Sequence, residues 1–289
     1  MALFLHRDVH YVRRLLGRAG ANLRLVAGAL AADYVRILPY RDFGGVDPSE
    51  SCERHIAGVQ PAGFVRVNLI PYHLAIPDVT GRVVIEAGCN EGAGSALLAT
   101  RARAVVAFDR SPEAIAVARA RPALPNLRFV VHDATHPFPV EDGSADVVFA
   151  SEVIEHLSDG RAFLAAAARA LRPGGLLIIK TPNDAWNRFE NRLNPHHVNP
   201  YDERRLRSEL GREFESVAIS GLTFEMSIHT APEDQADALA PEATPYVFGE
   251  PVVIDRVLVT RMRVTPRFEA PGTFGEYLFA RAVRRTGSV

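Results

Sequence analysis

The segment Val83-Val84-Ile85-Glu86-Ala87-Gly88-Cys89-Asn90-Glu91-Gly92-Ala93-Gly94 constrains this chain more than any other. A β-branched apolar run enters a turn with glycines at 88, 92 and 94, and the helix-forming run Ser95-Ala96-Leu97-Leu98-Ala99 follows at once. The pattern predicts strand, glycine-rich turn, helix. Glycine permits close backbone approach there, and the helix N-terminus offers N–H groups to a ligand. Many nucleotide-binding folds share such a turn, so features further along the chain must decide between them.

The next predicted strand, Ala104-Val105-Val106-Ala107-Phe108, ends on Asp109. That acid follows the glycines by about 20 residues, the spacing at which a carboxylate grips the vicinal hydroxyls of a ribose. A structural role fits as well. It would be a helix N-cap acid before Ser111-Pro112-Glu113, and both roles are compatible. Leu127 to Val131 reads as a third strand running into His132-Asp133-Ala134, and Ala145 to Ala150 as a fourth running into Ser151-Glu152. Val153-Ile154-Glu155-His156-Leu157 is expected to open a helix that continues through the alanine-rich 161–171. A turn, Arg172-Pro173-Gly174-Gly175, then leads to the strand Leu176-Leu177-Ile178-Ile179-Lys180. Strands alternating with helices imply right-handed βαβ units and a parallel sheet covered on both faces.

Several motifs in this order resemble a class I S-adenosylmethionine-dependent methyltransferase over roughly residues 50–222. "VVIEAGCNEGAG" resembles the first motif of that family, and Asp109 takes the place of its ribose acid. "HDATHPFPVEDGSADVVFASEVIEHL" resembles the segment bordering the adenine and then the active site, and "LRPGGLLIIKTPN" the fifth strand with its preceding turn. Asn90 stands where many relatives have glycine, and asparagine tolerates the left-handed backbone. The resemblance implies an α/β, Rossmann-like fold. Its sheet would have seven strands, mostly parallel with an antiparallel last strand, and helices on both faces. It also implies S-adenosylmethionine as cofactor. Glu86, Gly88, Asn90 and Gly92 would lie at the methionine end, Asp109 on the ribose, Asp133 and Ala134 at the adenine, and Ser151 alongside.

Phe214 to Ile219 reads as the sixth strand and residues 275–283 as the antiparallel seventh. Asp202 is a candidate N-cap for the helix between. The insert 223–272 has the length and place of a specificity element. Its first half carries Pro232, Pro241 and Pro245 and reads as a loop or lid, whereas Val252 to Val264 fits a helix or a strand. Residues 1–50 read as a separate amphipathic helical extension and linker, with Arg7, Arg13, Arg14, Arg18 and Arg24 between leucines. It would cap the methyltransferase domain at 51–289, pair with a second copy in a homodimer, or dock on a membrane surface. A cap segment, 51–78, precedes the first strand, and Arg66 and Tyr72 are its candidates for closing over the cofactor.

Composition narrows the function. The net charge of −1 and the lack of a basic stripe argue against a nucleic-acid partner. No apolar run reaches the roughly 18 residues of a membrane span. Two cysteines, Cys52 and Cys89, are too few for a disulfide framework, so a cytoplasmic setting is expected. Lys180 is the single lysine among 33 basic residues, which reads as the mark of an arginine-rich bacterial genome.

The chemistry gathers just past the fourth strand. Glu152, Glu155 and His156 would share one face of a helix at i, i+3 and i+4. Glu152 and His156 are the candidate acid/base pair for methyl transfer. The same residues resemble the metal set of small-RNA 2′-O-methyltransferases, where a later histidine completes the site. The match here is Glu152, Glu155, His156 and His197 around Mg²⁺, Mn²⁺ or Zn²⁺, with His196 the adjacent alternative. Ubiquinone-biosynthesis O-methyltransferases are similar around "EVIEHL". The metal-free reading leaves Glu152 on the substrate, Glu155 facing solvent and His156 capping a turn. The expected activity is methyl transfer to a hydroxyl of a sugar, natural product or other small polar metabolite. The alternatives are an RNA-end 2′-O-methyltransferase, a small-molecule N-methyltransferase and a non-enzymatic cofactor-binding subunit.

Overall fold

The computed structural model describes residues 69–185, 196–229, 247–248, 252–254, 257–259, 261–269 and 275–287. All of them lie in the larger of the two units into which the chain divides, Arg54–Val289. The N-terminal extension, Cys52, Arg66 and the proline-rich half of the insert fall outside the described residues.

Eleven strands are described: β1 (Val83–Ala87), β2 (Ala104–Asp109), β3 (Leu127–Val131), β4 (Ala145–Ser151), β5 (Leu171–Pro182), β6 (Phe214–His229), β7 (Val247–Phe248), β8 (Val252–Ile254), β9 (Val257–Val259), β10 (Arg261–Glu269) and β11 (Tyr277–Arg284). The helices are α1 (Ile70–Val79), α2 (Ala93–Ala99), α3 (Pro112–Arg119), α4 (Gly160–Ala170) and α5 (Glu203–Glu213). The main sheet has the order β3-β2-β1-β4-β5-β11-β6-β10-β7. β1 to β5 pair in parallel, and β11 runs antiparallel between β5 and β6. The expected seven-strand order is therefore present. It is extended by β10 and β7, both antiparallel to their neighbours, while β8 and β9 form a separate hairpin.

Three expectations need correction. The sixth strand continues well past Ile219, because β10 pairs with it from Gly221 to His229. The undecided stretch from Val252 to Val264 is strand throughout its described residues. The helix expected from Val153 through 171 is in fact two pieces, a 3₁₀ turn at Ile154–His156 and then α4. The break lies at Asp159, whose carboxylate caps α4 by accepting from the N–H groups of Arg161 and Ala162. Asp202 caps α5 in the same manner by accepting from Arg205 N–H, as expected.

The β-branched strands are buried on both sides. Val84 belongs to an apolar cluster with Val79, Leu98 and Ile115 of α1 to α3, and its neighbour Ile85 to another with Phe163, Leu164 and Leu206 of α4 and α5. Alternate residues face opposite sides of a strand, so the helices cover both faces. The strand order reverses between β1 and β4. In open parallel sheets, the crevice beyond the carboxyl ends at that reversal is where ligands bind.

Candidate functional site

The glycine turn leaves β1 with Gly88 at φ +71°, Asn90 at φ 49° and Gly92 at φ 77°. Asn90 thus adopts the left-handed backbone expected of it. A Cβ on Gly88 would lie 2.4 Å from Val153 Cγ2, so the turn after β1 is pressed against the segment after β4. A Cβ on Gly94 would lie 2.1 Å from the ring of Tyr72, which brings α1 equally close from the other side.

Glu86 is fully buried in β1, and its Oε1 accepts a hydrogen bond of 2.8 Å from the Tyr72 hydroxyl. Burial raises its pKa to about 7. Among the described residues, Asn90 Oδ1 is a buried acceptor with no hydrogen-bond partner, and buried Glu86 Oε2 makes no bond of full hydrogen-bond geometry, although the Ser95 hydroxyl beside Glu86 partly offsets the rise in its pKa. Asp109, at the end of β2, accepts from Asn90 N–H through Oδ2 and from Ser111 N–H through Oδ1, both at 2.9 Å. It therefore holds the turn against the next strand. The N-cap of α3 is Ser111, which accepts from Ala114 N–H. A carboxylate offers about four lone-pair positions, so two remain on Asp109 for hydroxyl donors. Asp133 is exposed past β3. The N–H and hydroxyl of Thr135 donate to it and hold its carboxyl below the usual range. Ala134 beside it is buried, and Ser151 is half-buried at the end of β4.

Beyond β4 the structure brings three of the four expected metal ligands together. Ligand atoms of Glu155, His156 and His197 all lie within 4.8 Å of one another. His156 Nδ1 is 3.1 Å from the His196 carbonyl, and the two rings of His156 and His197 meet edge to face at 4.9 Å. With Nδ1–H donating to that carbonyl, the lone pair sits on Nε2, which faces Glu155 Oε1 at 3.9 Å. Glu155 is 1% exposed, which corrects the reading that placed it in solvent. The 3₁₀ turn aims it inward, where the Thr181 hydroxyl donates to Oε2 at 2.9 Å. Burial, and then the neighbouring Glu152 carboxylate, push its pKa well up.

Glu152 does not join the three. It lies outside the 3₁₀ turn at φ 56°, its N–H donates to the Lys180 carbonyl at 2.9 Å, and its Oε1 accepts from Lys180 Nζ. The helix face expected to unite Glu152 with Glu155 and His156 does not exist, because the backbone reverses hand at Glu152. Lys180 is the feature that sequence reasoning missed. Its signal was a lone lysine at the end of an otherwise apolar strand, which had been read as composition only.

The loop carrying the histidines is tied down from below. Asn199 N–H donates to the Glu155 carbonyl at 2.9 Å, and the Tyr201 hydroxyl donates to Glu209 at 2.9 Å in the buried base of α5.

Residues 85–179 match a family described as a methyltransferase domain. A protein of Mycobacterium tuberculosis, named as a probable S-adenosylmethionine-dependent methyltransferase, is 38% identical over 162 residues, 55% of this chain and 58% of that protein. A ubiquinone biosynthesis O-methyltransferase of Xanthomonas oryzae is 36% identical over 120 residues, 39% of this chain and 48% of that enzyme. The chain thus spans about half the length of the curated relatives it matches. Among solved structures, the YcgJ protein of Bacillus subtilis superposes with a TM-score of 0.53 at 15% identity, covering 75% of this chain and 99% of that one, which is a likeness of fold.

Proposed function

We propose that this chain, which carries a class I S-adenosylmethionine-dependent methyltransferase domain, moves a methyl group to a hydroxyl of a sugar or another small polar metabolite. The observation that carries the reading is the cluster of buried Glu155 with half-buried His156 and His197, on the segment after β4 that packs against the glycine turn. The likeness to a ubiquinone biosynthesis O-methyltransferase supports oxygen as the acceptor atom.

The cofactor brings donors: an ammonium, two ribose hydroxyls and an adenine amine. The turn region holds acceptors to match, in Glu86 Oε2, Asn90 Oδ1 and the open lone pairs of Asp109. In this reading Glu86, Gly88, Asn90 and Gly92 hold the methionine end, Asp109 the ribose, and Asp133 with Ala134 the adenine. Ser151 lies on the methyl side.

The sulfonium supplies an electrophilic methyl group. The protein must align an acceptor hydroxyl behind it and receive a proton. The bond from acceptor oxygen to methyl carbon forms as the sulfur–carbon bond breaks, with the electron pair staying on sulfur. The hydroxyl proton passes to His156 Nε2, whose Nδ1–H is fixed by the His196 carbonyl. Glu155 stabilises the imidazolium that results. A divalent cation also suits these donors. Glu155, His156 and His197 would hold it, and its charge would lower the hydroxyl pKa.

Incubation with methyl-labelled cofactor, pooled sugar nucleotides and short RNA tests the reading. Label on a sugar oxygen is expected. Label on RNA would move the chain to the RNA-end enzymes, whose metal cluster it resembles but whose basic surface its net charge of −1 does not suggest. Label on an amine would make it an N-methyltransferase. Failure to bind S-adenosylhomocysteine would retire the whole reading.

A further inference from the structure

Lys180 is the only lysine of the chain, and its side chain is 3% exposed. It sits near the C-terminal end of β5, in register with Ser151 of β4. Its Nζ lies 3.6 Å from the centre of the Tyr277 ring and donates to Glu152 Oε1. The backbones of the same two residues are joined by the 2.9 Å bond from Glu152 N–H to the Lys180 carbonyl. Glu152 is therefore held twice, at the main chain and at the carboxylate. The next residue of β5, Thr181, holds Glu155 instead. Glu152 is nonetheless a neighbour of Glu155, whose pKa is raised first by burial and then by the charge of Glu152 and a side-chain hydrogen bond with it. A carboxylate beside three grouped ligand atoms is the natural fourth donor for a divalent ion. Glu152 is absent from that group, and one of its two carboxylate oxygens is taken by the Lys180 ammonium.

Resting on the methyltransferase reading above, we propose that Lys180 is a tethered cation that keeps Glu152 out of the ligand set, so that Glu155, His156 and His197 alone form a divalent-ion site. The ammonium acts in two ways. It occupies an oxygen a metal would need, and it adds positive charge where a second cation would have to bind. Three protein donors also leave coordination positions open, as sites that bind a reacting oxygen require and closed structural sites do not. Glu152, held at its main chain and its carboxylate by Lys180, is then left to face the acceptor.

Titration of the full chain with Mn²⁺, with free ion followed by electron paramagnetic resonance, tests this without an acceptor. Lys180→Met should bind Mn²⁺ about tenfold or more tightly than wild type, the general scale for altering a metal site's surroundings. Lys180→Arg keeps the charge and should match wild type. Glu152→Gln, which leaves the ammonium unpaired, should bind Mn²⁺ no more tightly than wild type, and Lys180→Met/Glu152→Gln should lose the gain. Equal affinity in wild type and Lys180→Met, including equal absence of binding, overturns the proposal. So does a gain that survives in the double variant, or a gain in Glu152→Gln. S-adenosylhomocysteine titration confirms that each variant is folded. If wild type itself fails to bind S-adenosylhomocysteine, the methyltransferase reading falls while the Mn²⁺ result still judges Lys180.

Discussion

The Tyr72 hydroxyl donates to Glu86 Oε1 across 2.8 Å, tying α1 to the carboxyl end of β1 at the edge of the glycine turn. The carboxylate it touches is fully buried, and burial raises its pKa to about 7. An unfolded glutamate titrates near 4.3. Between those values the folded chain holds a proton that the unfolded chain has lost. Stability from this group is thus fully present below about pH 4.3 and declines as pH rises through about 7.

Glu86→Gln removes that titration. Relative to wild type, the variant should gain stability between pH 5 and pH 8, by up to about 3 kcal/mol at the scale of one pKa unit per 1.36 kcal/mol. Urea unfolding at the two pH values reads the difference. A stability gap that is the same at both would contradict a raised Glu86 pKa. If Glu86 receives the cofactor ammonium, binding should also expel its proton. Calorimetric titration with S-adenosylhomocysteine near pH 6.5 should then give enthalpies that differ between phosphate and Tris.

Asp109 serves two ends at once. It accepts two backbone N–H groups, one of the turn and one of the start of α3, and in the proposed reading its two remaining lone pairs take the ribose hydroxyls. Asp109→Ala should weaken S-adenosylhomocysteine binding by roughly 2–4 kcal/mol, about 30- to 1,000-fold. Part of that loss belongs to the loosened turn. Asp109→Asn keeps one acceptor oxygen and should fall between wild type and Asp109→Ala. Unchanged affinity in a folded Asp109→Ala protein would exclude the ribose role.

His197 separates the metal and metal-free readings better than Glu155 does. Glu155→Gln disturbs a buried hydrogen bond to Thr181 in either case. His197 is half-buried on a loop. If the cluster binds Mn²⁺, His197→Ala should lower the affinity about tenfold or more, by the scale for disturbed metal sites. Without a metal, surface truncations of this kind change stability by only about 0.5 kcal/mol. His156 and His197 must be neutral to ligate, so Mn²⁺ affinity should also fall at acid pH.

Gly94 is pinned by packing. An added Cβ would sit 2.1 Å from the Tyr72 ring, and that ring also packs 4.7 Å from Phe149. Gly94→Ala should cost roughly 1–3 kcal/mol by overpacking. In the background of Tyr72→Ala the penalty should largely vanish, because the two sites share one space. Additive melting-temperature losses would show that Tyr72 does not fill it.

The parallel half of the sheet was legible because each strand is written locally. β1, β2 and β4 are apolar β-branched runs that stop at turn chemistry, and the helix starts at Ser111 and Asp202 are capped through side chains a few residues away. The alternation of strands and helices then leaves little choice of topology. The left-handed Asn90 and the acid at the end of β2 are local facts of the same kind.

Other features depend on partners far along the chain. The extra length of β6 exists because β10 pairs with it. The break before α4 was misread because a helical hydrophobic period does not report a reversal of backbone hand at Glu152. By itself the sequence determined the fold class and the glycine turn, which follow from periodicity, turn chemistry and spacing, while the residues from which a site had to be drawn came largely from motifs that resemble a known family. Only the tertiary structure decided that Glu155 turns inward to Thr181, that His197 arrives from a loop about 40 residues away, and that Lys180 takes Glu152. Those outcomes rest on the pairing of β4 with β5 and the docking of α5. No local pattern encodes where two distant side chains meet.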